Sequence, residues 1–230
     1  TLLKILGGLL RPRSGRVSID GRDMAALTRR ELARRIAIVP QETRLAFDYT
    51  ALEVVLMGRY PHLGAFELEG RDDVAIARQS LDATGTLGLA DRVFDTLSGG
   101  EKQRVVIAGA LAQSAGLMLL DEPTASLDPG YQLEIASLLR RLNGSHGVTM
   151  VVATHDLNLA ASLCRELVLL RQGRVIAAGS TAEVLTPGNV RSLYDLDAEV
   201  CHHERAGHLT VVPIGLARAG SEPAARQVDP

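Results

Sequence analysis

Leu97-Ser98-Gly99-Gly100-Glu101-Lys102-Gln103-Arg104 and, after a short apolar stretch, LMLLDEPTASLD (117–128) follow one another closely. The first puts a Gly-rich turn at a helix start; the second puts two adjacent carboxylates at the end of a buried strand. Together they are the parts that hold a nucleoside triphosphate and polarise a water. Ser98, Gly99 and Gly100 precede a helix pattern over 101–113, with Val105, Ile107, Ala108, Leu111 and Ala112 on one buried face. Such an entry leaves N–H groups at the positive end of the helix dipole, where phosphate binds. Taken alone, it fits an ordinary N-cap with glycines for a tight turn better than a phosphate site.

The second stretch alters that balance. Leu117 to Leu120 form a continuous apolar run, as in a central strand of a parallel sheet covered on both faces. Ligands of such sheets bind beyond the carboxyl ends of the strands, where Asp121 and Glu122 fall. Paired carboxylates there divide the work: one holds Mg²⁺, directly or through water, and the other orients the attacking water. A solvated acidic turn is the plainer reading, but two acids directly after four buried apolar residues are costly without a partner. Two further strand readings end at the same kind of position. VTMVVATHD (148–156) ends at Thr154, His155 and Asp156, and IAIVPQ (36–41) ends at Gln41, whose amide can bridge metal and water. A lone histidine at a strand end more often serves structure, and each of these signals is weak alone. All converge on one edge of one sheet.

Composition bounds the rest. The 230 residues fit one compact α/β domain with an inserted helical part. The formal net charge of −2 gives no nucleic-acid footprint, and only Lys4 and Lys102 are lysines. No apolar run reaches the ~18–20 residues that cross a bilayer, so membrane association would be peripheral, through a partner. Cys164 and Cys201 are too few and scattered for a disulfide framework and are expected as reduced thiols.

Along the chain, TLLKILGGLL reads as a helix ending near Gly7 and Gly8, and SGRVSIDG as a strand with a turn at Gly21. Thr28 with Glu31, Thr50 with Glu53, and Ser180 with Glu183 have capping-box spacing and open helices. Residues from about 50 to 95 lack strand signals and read as helices, among which Gly58-Arg59-Tyr60-Pro61-His62 is expected as an exposed turn. RELVLLRQGRVIAAG (165–179) reads as two antiparallel strands joined near Gln172-Gly173. From about Leu216 the tail is expected to lack order. His202, His203, Glu204 and His208 fit neither an HExxH helix nor a Cys/His zinc site, and read as a solvated edge.

These motifs together resemble the ATP-binding subunit of an ATP-binding-cassette (ABC) transporter over most of the chain. LSGGEKQR is similar to the signature motif, LMLLDE to the Walker B motif, SLD (126–128) to the D-loop, Gln41 to the Q-loop and His155 to the H-loop. The resemblance implies a P-loop NTPase-like α/β fold over 1–215, with a helical subdomain over about 50–113 and with ATP and Mg²⁺ as ligands. It implies that Asp121 binds Mg²⁺ mainly through water, that Glu122 is the general base, and that His155 contacts the γ-phosphate. Gln41 would sense metal and nucleotide. Ser98, Gly99, Gly100 and Gln103 would contact the ATP held by a second copy in a head-to-tail dimer, and Ser126 and Asp128 would link the two sites. The stretch TALEVVLMGRYPHLG (50–64) and the ending ERAGHLTVVPIG (204–215) resemble importers of iron–siderophores, haem and cobalamin. By that resemblance residues 44–64 grip a transmembrane permease at the cytoplasmic face of the inner membrane, with a solute-binding protein as indirect partner. Arg59→Glu with Tyr60→Ala would then uncouple transport and spare basal ATPase.

The sequence departs from the family pattern in lacking GxxGxGK(S/T), the phosphate loop. Thr1 matches the residue beside the magnesium-binding Ser of that loop, so an N-terminal truncation is expected, with the first strand and loop upstream. Backbone N–H groups and the Lys of that loop neutralise the β- and γ-phosphates, so these residues alone are expected to bind ATP poorly. Two other functions fit less well. ABC ATPases acting on DNA or ribosomes usually carry long coiled-coil insertions or tandem cassettes, and a non-hydrolysing subunit would not need Glu122, His155 and Gln41.

Overall fold

The computed structural model describes residues 1–217, the His146 side chain excepted. Contacts divide the chain into two units, Thr1–Thr154 and His155–Pro230.

The first unit opens with α1 (Leu2–Leu6), which ends at Gly7. Strands β1 (Ser18–Ile19) and β2 (Arg22–Asp23) pair antiparallel around Asp20 and Gly21, both with positive φ. Helix α2 (Arg29–Ala33) carries the expected capping box between Thr28 and Glu31 and leads into β3 (Ile36–Val39). The helical part follows. It consists of α3 (Ala51–Leu56), a 3-10 turn (Met57–Arg59), α4 (Arg71–Ala83) and α5 (Gly99–Ala112), with Thr50 and Glu53 closing a second box. Strand β4 (Leu117–Asp121), helix α6 (Pro129–His146) and strand β5 (Thr149–Ala153) complete the unit.

The three strands form one parallel sheet in the order β3-β4-β5, with Val39 opposite Leu120 and Leu120 opposite Val152. Met118, Leu119 and Leu120 are at most 1% exposed. Burial of each such side chain contributes about 1.5–3 kcal/mol, and this fixes where the strand must end. A core of Met24, Ile36 and Leu119 takes Leu3 and Leu6 of α1 against the sheet. A second core, with Val54, Val55, Leu81, Phe94, Val105 and Ala108, holds α3, α4 and α5 together. Helix α5 is buried more evenly than its sequence suggests: Ala110 is buried and Leu111 only partly.

The stretch around Gly58 corrects an expectation. Arg59 is buried, and its guanidinium donates to Asp73 Oδ1 (2.9 Å), to the Ala112 carbonyl (2.7 Å) and to Ser114 Oγ (3.3 Å). The His62 ring meets the Gln113 carbonyl at 2.9 Å, and Arg30 and Arg34 both donate to the Pro61 carbonyl. Gly58 lies so close to α5 that a Cβ there would stand 2.2 Å from the Gly109 carbonyl oxygen. Only Tyr60 of this stretch is an exposed large side chain. The turn is a packed joint because the buried Arg59 guanidinium requires acceptors, and Asp73, the Ala112 carbonyl and Ser114 supply them.

The second unit holds α7 (Leu157–Leu163), β6 (Glu166–Arg171), β7 (Arg174–Ser180), α8 (Thr181–Val184), α9 (Pro187–Tyr194), β8 (Leu196–His203) and β9 (His208–Leu216). Gln172 and Gly173 join β6 to β7 with positive φ at both positions, the signature of a tight hairpin. The 204–215 segment belongs to a second hairpin, β8 with β9, in which Leu196 pairs with Leu216. The expected tail therefore begins no earlier than Leu216 allows, and residues 218–230 lie outside the described residues. Cys164 and Cys201 are both free thiols, and burial pushes the Cys164 thiol up.

Candidate active site

Parallel pairing sends all three strands to the same edge. Asp121 sits opposite Ala153, one step past the row of Val39, Leu120 and Val152. Glu122 and Thr154 follow their strands directly and Gln41 lies two residues past the end of β3, so all three belong to this edge, which is about two strand spacings, ~10 Å, wide. Gln41 is exposed; Asp121 and Glu122 are half-buried.

Glu122 has a backbone that few non-glycine residues adopt, with φ at +48°. Its N–H donates to the Ala153 carbonyl (2.8 Å), and its own carbonyl accepts from Ala125 N–H (3.0 Å). Thr154 Oγ1 donates to Glu122 Oε2 at 3.3 Å. The left-handed conformation costs roughly 1–2 kcal/mol for an L-residue, and such cost concentrates at functional sites. The turn that follows places Pro123 and Thr124 inside and returns Ser126, also at positive φ (63°), to solvent. Asp128 caps α6, its Oδ1 accepting from the N–H groups of Gly130 (3.0 Å) and Tyr131 (3.2 Å).

The start of α5 forms a second grouping. Ser98 and Glu101 close a capping box, with Ser98 N–H donating to the Glu101 carboxylate at 2.8 Å. That amide, with the Ser98 hydroxyl, holds the Glu101 carboxyl below its usual range; Arg92 and Arg104 add to it. The ordinary N-cap is thus present, and the first-turn amides of Gly99 and Gly100 have no acceptor within the helix. Gly100 is demanded by packing, since a Cβ there would lie 2.5 Å from the Tyr131 ring. Gly99 faces Leu127 at 3.4 Å on the same measure. The Ser98–Gly100 turn therefore rests on the segment that carries Ser126 and Asp128. Gln103 Nε2 is buried with no hydrogen-bond partner among the described residues.

Two candidates stand apart from these groupings. Thr1 precedes α1 and lines a cleft of about 500 Å³ with Ile5 and residues 10–14, none of them another candidate. His155 follows Thr154 in the chain but begins the second unit. Its carbonyl accepts from the Tyr194 hydroxyl at 2.9 Å, and the next residue, Asp156, caps α7. Tyr194 and Tyr131 escaped sequence reasoning because no local spacing ties them to His155 or Gly100. Among the described residues no three His, Cys, Asp or Glu side chains gather to hold a metal ion. Mg²⁺ needs no such cage, since it binds through one or two carboxylates with substrate phosphates and water. A half-buried carboxylate and an exposed amide at one sheet edge, as Asp121 and Gln41 provide, fit that mode.

Residues 1–125 match the family described as ABC transporter. The cobalamin import ATP-binding protein BtuD of Halobacterium salinarum is 43% identical over 93% of this chain and 53% of its own length. The ferric enterobactin transport ATP-binding protein FepC of Escherichia coli is 39% identical over 94% of this chain and 79% of its own. The hemin import ATP-binding protein HmuV of Gloeobacter violaceus is 44% identical, with 94% and 80% covered. The chain thus spans about half the length of the Halobacterium protein and about four fifths of the other two. Among solved structures, the dimeric ATP-binding cassette MJ0796, in a post-hydrolysis state bound to ADP and Pi, superposes with a TM-score of 0.67 at 34% identity, over 78% of this chain and 79% of that one. The parallel sheet, its flanking helices and the motifs at the strand ends accordingly place this chain in the ABC transporter family, with the fold of its ATP-binding cassettes.

Proposed function

We propose that this chain binds and hydrolyses ATP to drive import of an iron–siderophore, haem or cobalamin through a membrane permease. The observation that carries the reading is the shared sheet edge, where Gln41, Asp121, Glu122 and Thr154 lie at or just past the ends of three parallel strands and Glu122 is held at positive φ. Relatives named for cobalamin, ferric enterobactin and hemin transport support the cargo class.

In this reading ATP is the substrate; Asp121 and Gln41 are the residues that would hold Mg²⁺, which would offset phosphate charge. Glu122 accepts the proton of the attacking water as the terminal P–O bond breaks and ADP leaves, and Thr154 orients the Glu122 carboxylate. His155 contacts the γ-phosphate. Ser98, Gly99, Gly100 and Gln103 face the ATP of a second, head-to-tail copy; the dimeric state of the similar cassette MJ0796 supports a second copy. Ser126 and Asp128 link the two sites, Asp128 through the start of α6.

The permease docks at the cytoplasmic face of the membrane, and no helix among the described residues is long and apolar enough to cross it. Phe47, Tyr60, Phe66 and Leu68 are exposed by 71, 56, 104 and 83% and supply the apolar grip. Arg59 is excluded from that surface by its burial. Turnover of Mg-ATP by the natural full-length protein tests the assignment. Glu122→Gln is expected to lower kcat by about 10²–10⁴-fold while ATP binding persists; undiminished turnover would overturn it.

A further inference from the structure

Contacts made wholly within the second unit fix the backbone around His155. On one side the Tyr194 hydroxyl, at the end of α9, donates to the His155 carbonyl at 2.9 Å. On the other, Asp156 Oδ1 accepts from the N–H groups of Asn158 and Leu159, both at 2.9 Å. Asn158 then engages β9 in both directions. Val211 N–H donates to Asn158 Oδ1 (2.7 Å), and Asn158 Nδ2 donates to the Val211 carbonyl (3.2 Å). A carboxamide matched to one residue's N–H and C=O copies the pairing of a neighbouring strand, and it fixes α7 in register with the hairpin.

The elements that supply these groups are themselves anchored. Val190 of α9 is fully buried, and Val211 of β9 is 6% exposed. Asn189 Nδ2 donates to the Val184 carbonyl at 2.7 Å, and Arg171 of β6 donates to Asp195, directly after Tyr194, at 3.0 Å. Tyr194 is itself 40% exposed, so water could satisfy its hydroxyl. Burial does not demand its bond to His155. What the bond does is set the plane of the peptide that joins His155 to Asp156, and so the direction in which the His155 side chain leaves the chain.

We infer that α9 and the β8–β9 hairpin form a brace that aims His155, with Tyr194 and Asn158 as positioning residues for ATP hydrolysis. The inference rests on the proposed contact of His155 with the γ-phosphate. Neither residue touches substrate; both act through the backbone of the His155 turn.

The test uses the natural full-length protein with three substitutions: Tyr194→Phe, Asn158→Ala and His155→Ala. Tyr194→Phe keeps the ring and removes only the hydroxyl. It is expected to lower kcat about tenfold through misplacement, with KM for ATP and the melting temperature unchanged. The carbonyl carbon-13 resonance of His155 is expected to move upfield as it loses a donor, a signature that a general packing defect would not give. Asn158→Ala is expected to lower kcat in the same way; should it fail to fold, Tyr194→Phe and the carbonyl shift decide alone. If His155→Ala is inactive while Tyr194→Phe keeps full kcat, the brace is overturned and the reading of His155 stands. If His155→Ala turns over at the normal rate, that reading fails first and the brace with it. A fall in kcat matched by a lower melting temperature and no carbonyl shift also overturns it.

Discussion

Asp73 and Glu122 are both carboxylates of the first unit, yet the structure treats them in opposite ways. Asp73 lies in the first turn of α4 with relaxed helical backbone. Arg59 and the Gly70 N–H both donate to it, and the Arg59 and Asp73 side chains are only 9% and 15% exposed. Glu122 stands on a backbone held at φ +48° at the end of β4. A carboxylate that serves the fold sits where the chain is comfortable and its cation is built in. Glu122, the general base of the proposed function, sits where the chain must be forced. Exposure does not separate the two, since both residues are half-buried; backbone conformation and partners do.

The harshest way to break the structural half is Arg59→Ala, which leaves the half-buried Asp73 without its cation. Removing one partner of a fully buried pair costs about 3–5 kcal/mol; water can reach Asp73, so a loss near the lower end of that range is expected as a fall in the denaturant midpoint. Arg59→Glu should be worse still, and it is expected to unfold the helical part rather than to uncouple transport selectively. Next comes Gly58→Ala, whose Cβ meets a backbone oxygen that cannot rotate away. A loss near the upper end of the ~1–3 kcal/mol range for overpacking is expected by thermal or chemical unfolding; an unchanged midpoint would show that α3 and α5 can part freely.

The chemical half is sharpened by comparing Glu122→Gly with Glu122→Ala. Both should abolish turnover, but glycine accepts positive φ and alanine does not, so the glycine variant should be the more stable by about 1 kcal/mol. The smallest effect concerns acid. The Arg59 hydrogen bond, then the Gly70 N–H, hold the Asp73 carboxyl below its usual 3.8. The folded state therefore releases this proton more readily than the unfolded chain. The stabilisation is complete above the unfolded value and is lost as pH falls through the lowered one. Asp73→Asn should flatten that part of the stability–pH curve below about pH 4, measured as the urea midpoint against pH.

What could be read in advance follows from range. The three capping boxes are local, three residues wide, and their Thr or Ser and Glu pairs are all present. The run 117–120 is legible as a buried strand because one segment carries the whole signal, and its end places Asp121 and Glu122. Arg59 was misjudged because its reason lies at Asp73 and Ala112, and nothing in the spacing of Gly58 to His62 points there. The bond from Tyr194 to His155 is hidden in the same way. The β8–β9 hairpin did carry a local clue in Gly207, whose φ is +74°, but histidines at its tip obscured the alternation.

The pairing of β3 with β4 has a consequence for how the molecule is made. Gln113, whose Nε2 donates to the Ile36 carbonyl, lies 77 residues beyond it, and Leu117, the strand partner of Ile36, comes later still. A ribosome adding ~5–20 residues per second therefore leaves the apolar β3 segment without its neighbour for roughly 4–16 seconds. Helices α3 and α4 emerge early in that interval and α5 only at its end, and the edge that carries Asp121 and Glu122 gains its third strand, β5, later still. The nascent chain is most prone to aggregation in that window, and a chaperone that shields residues 36–39 would act there to greatest effect.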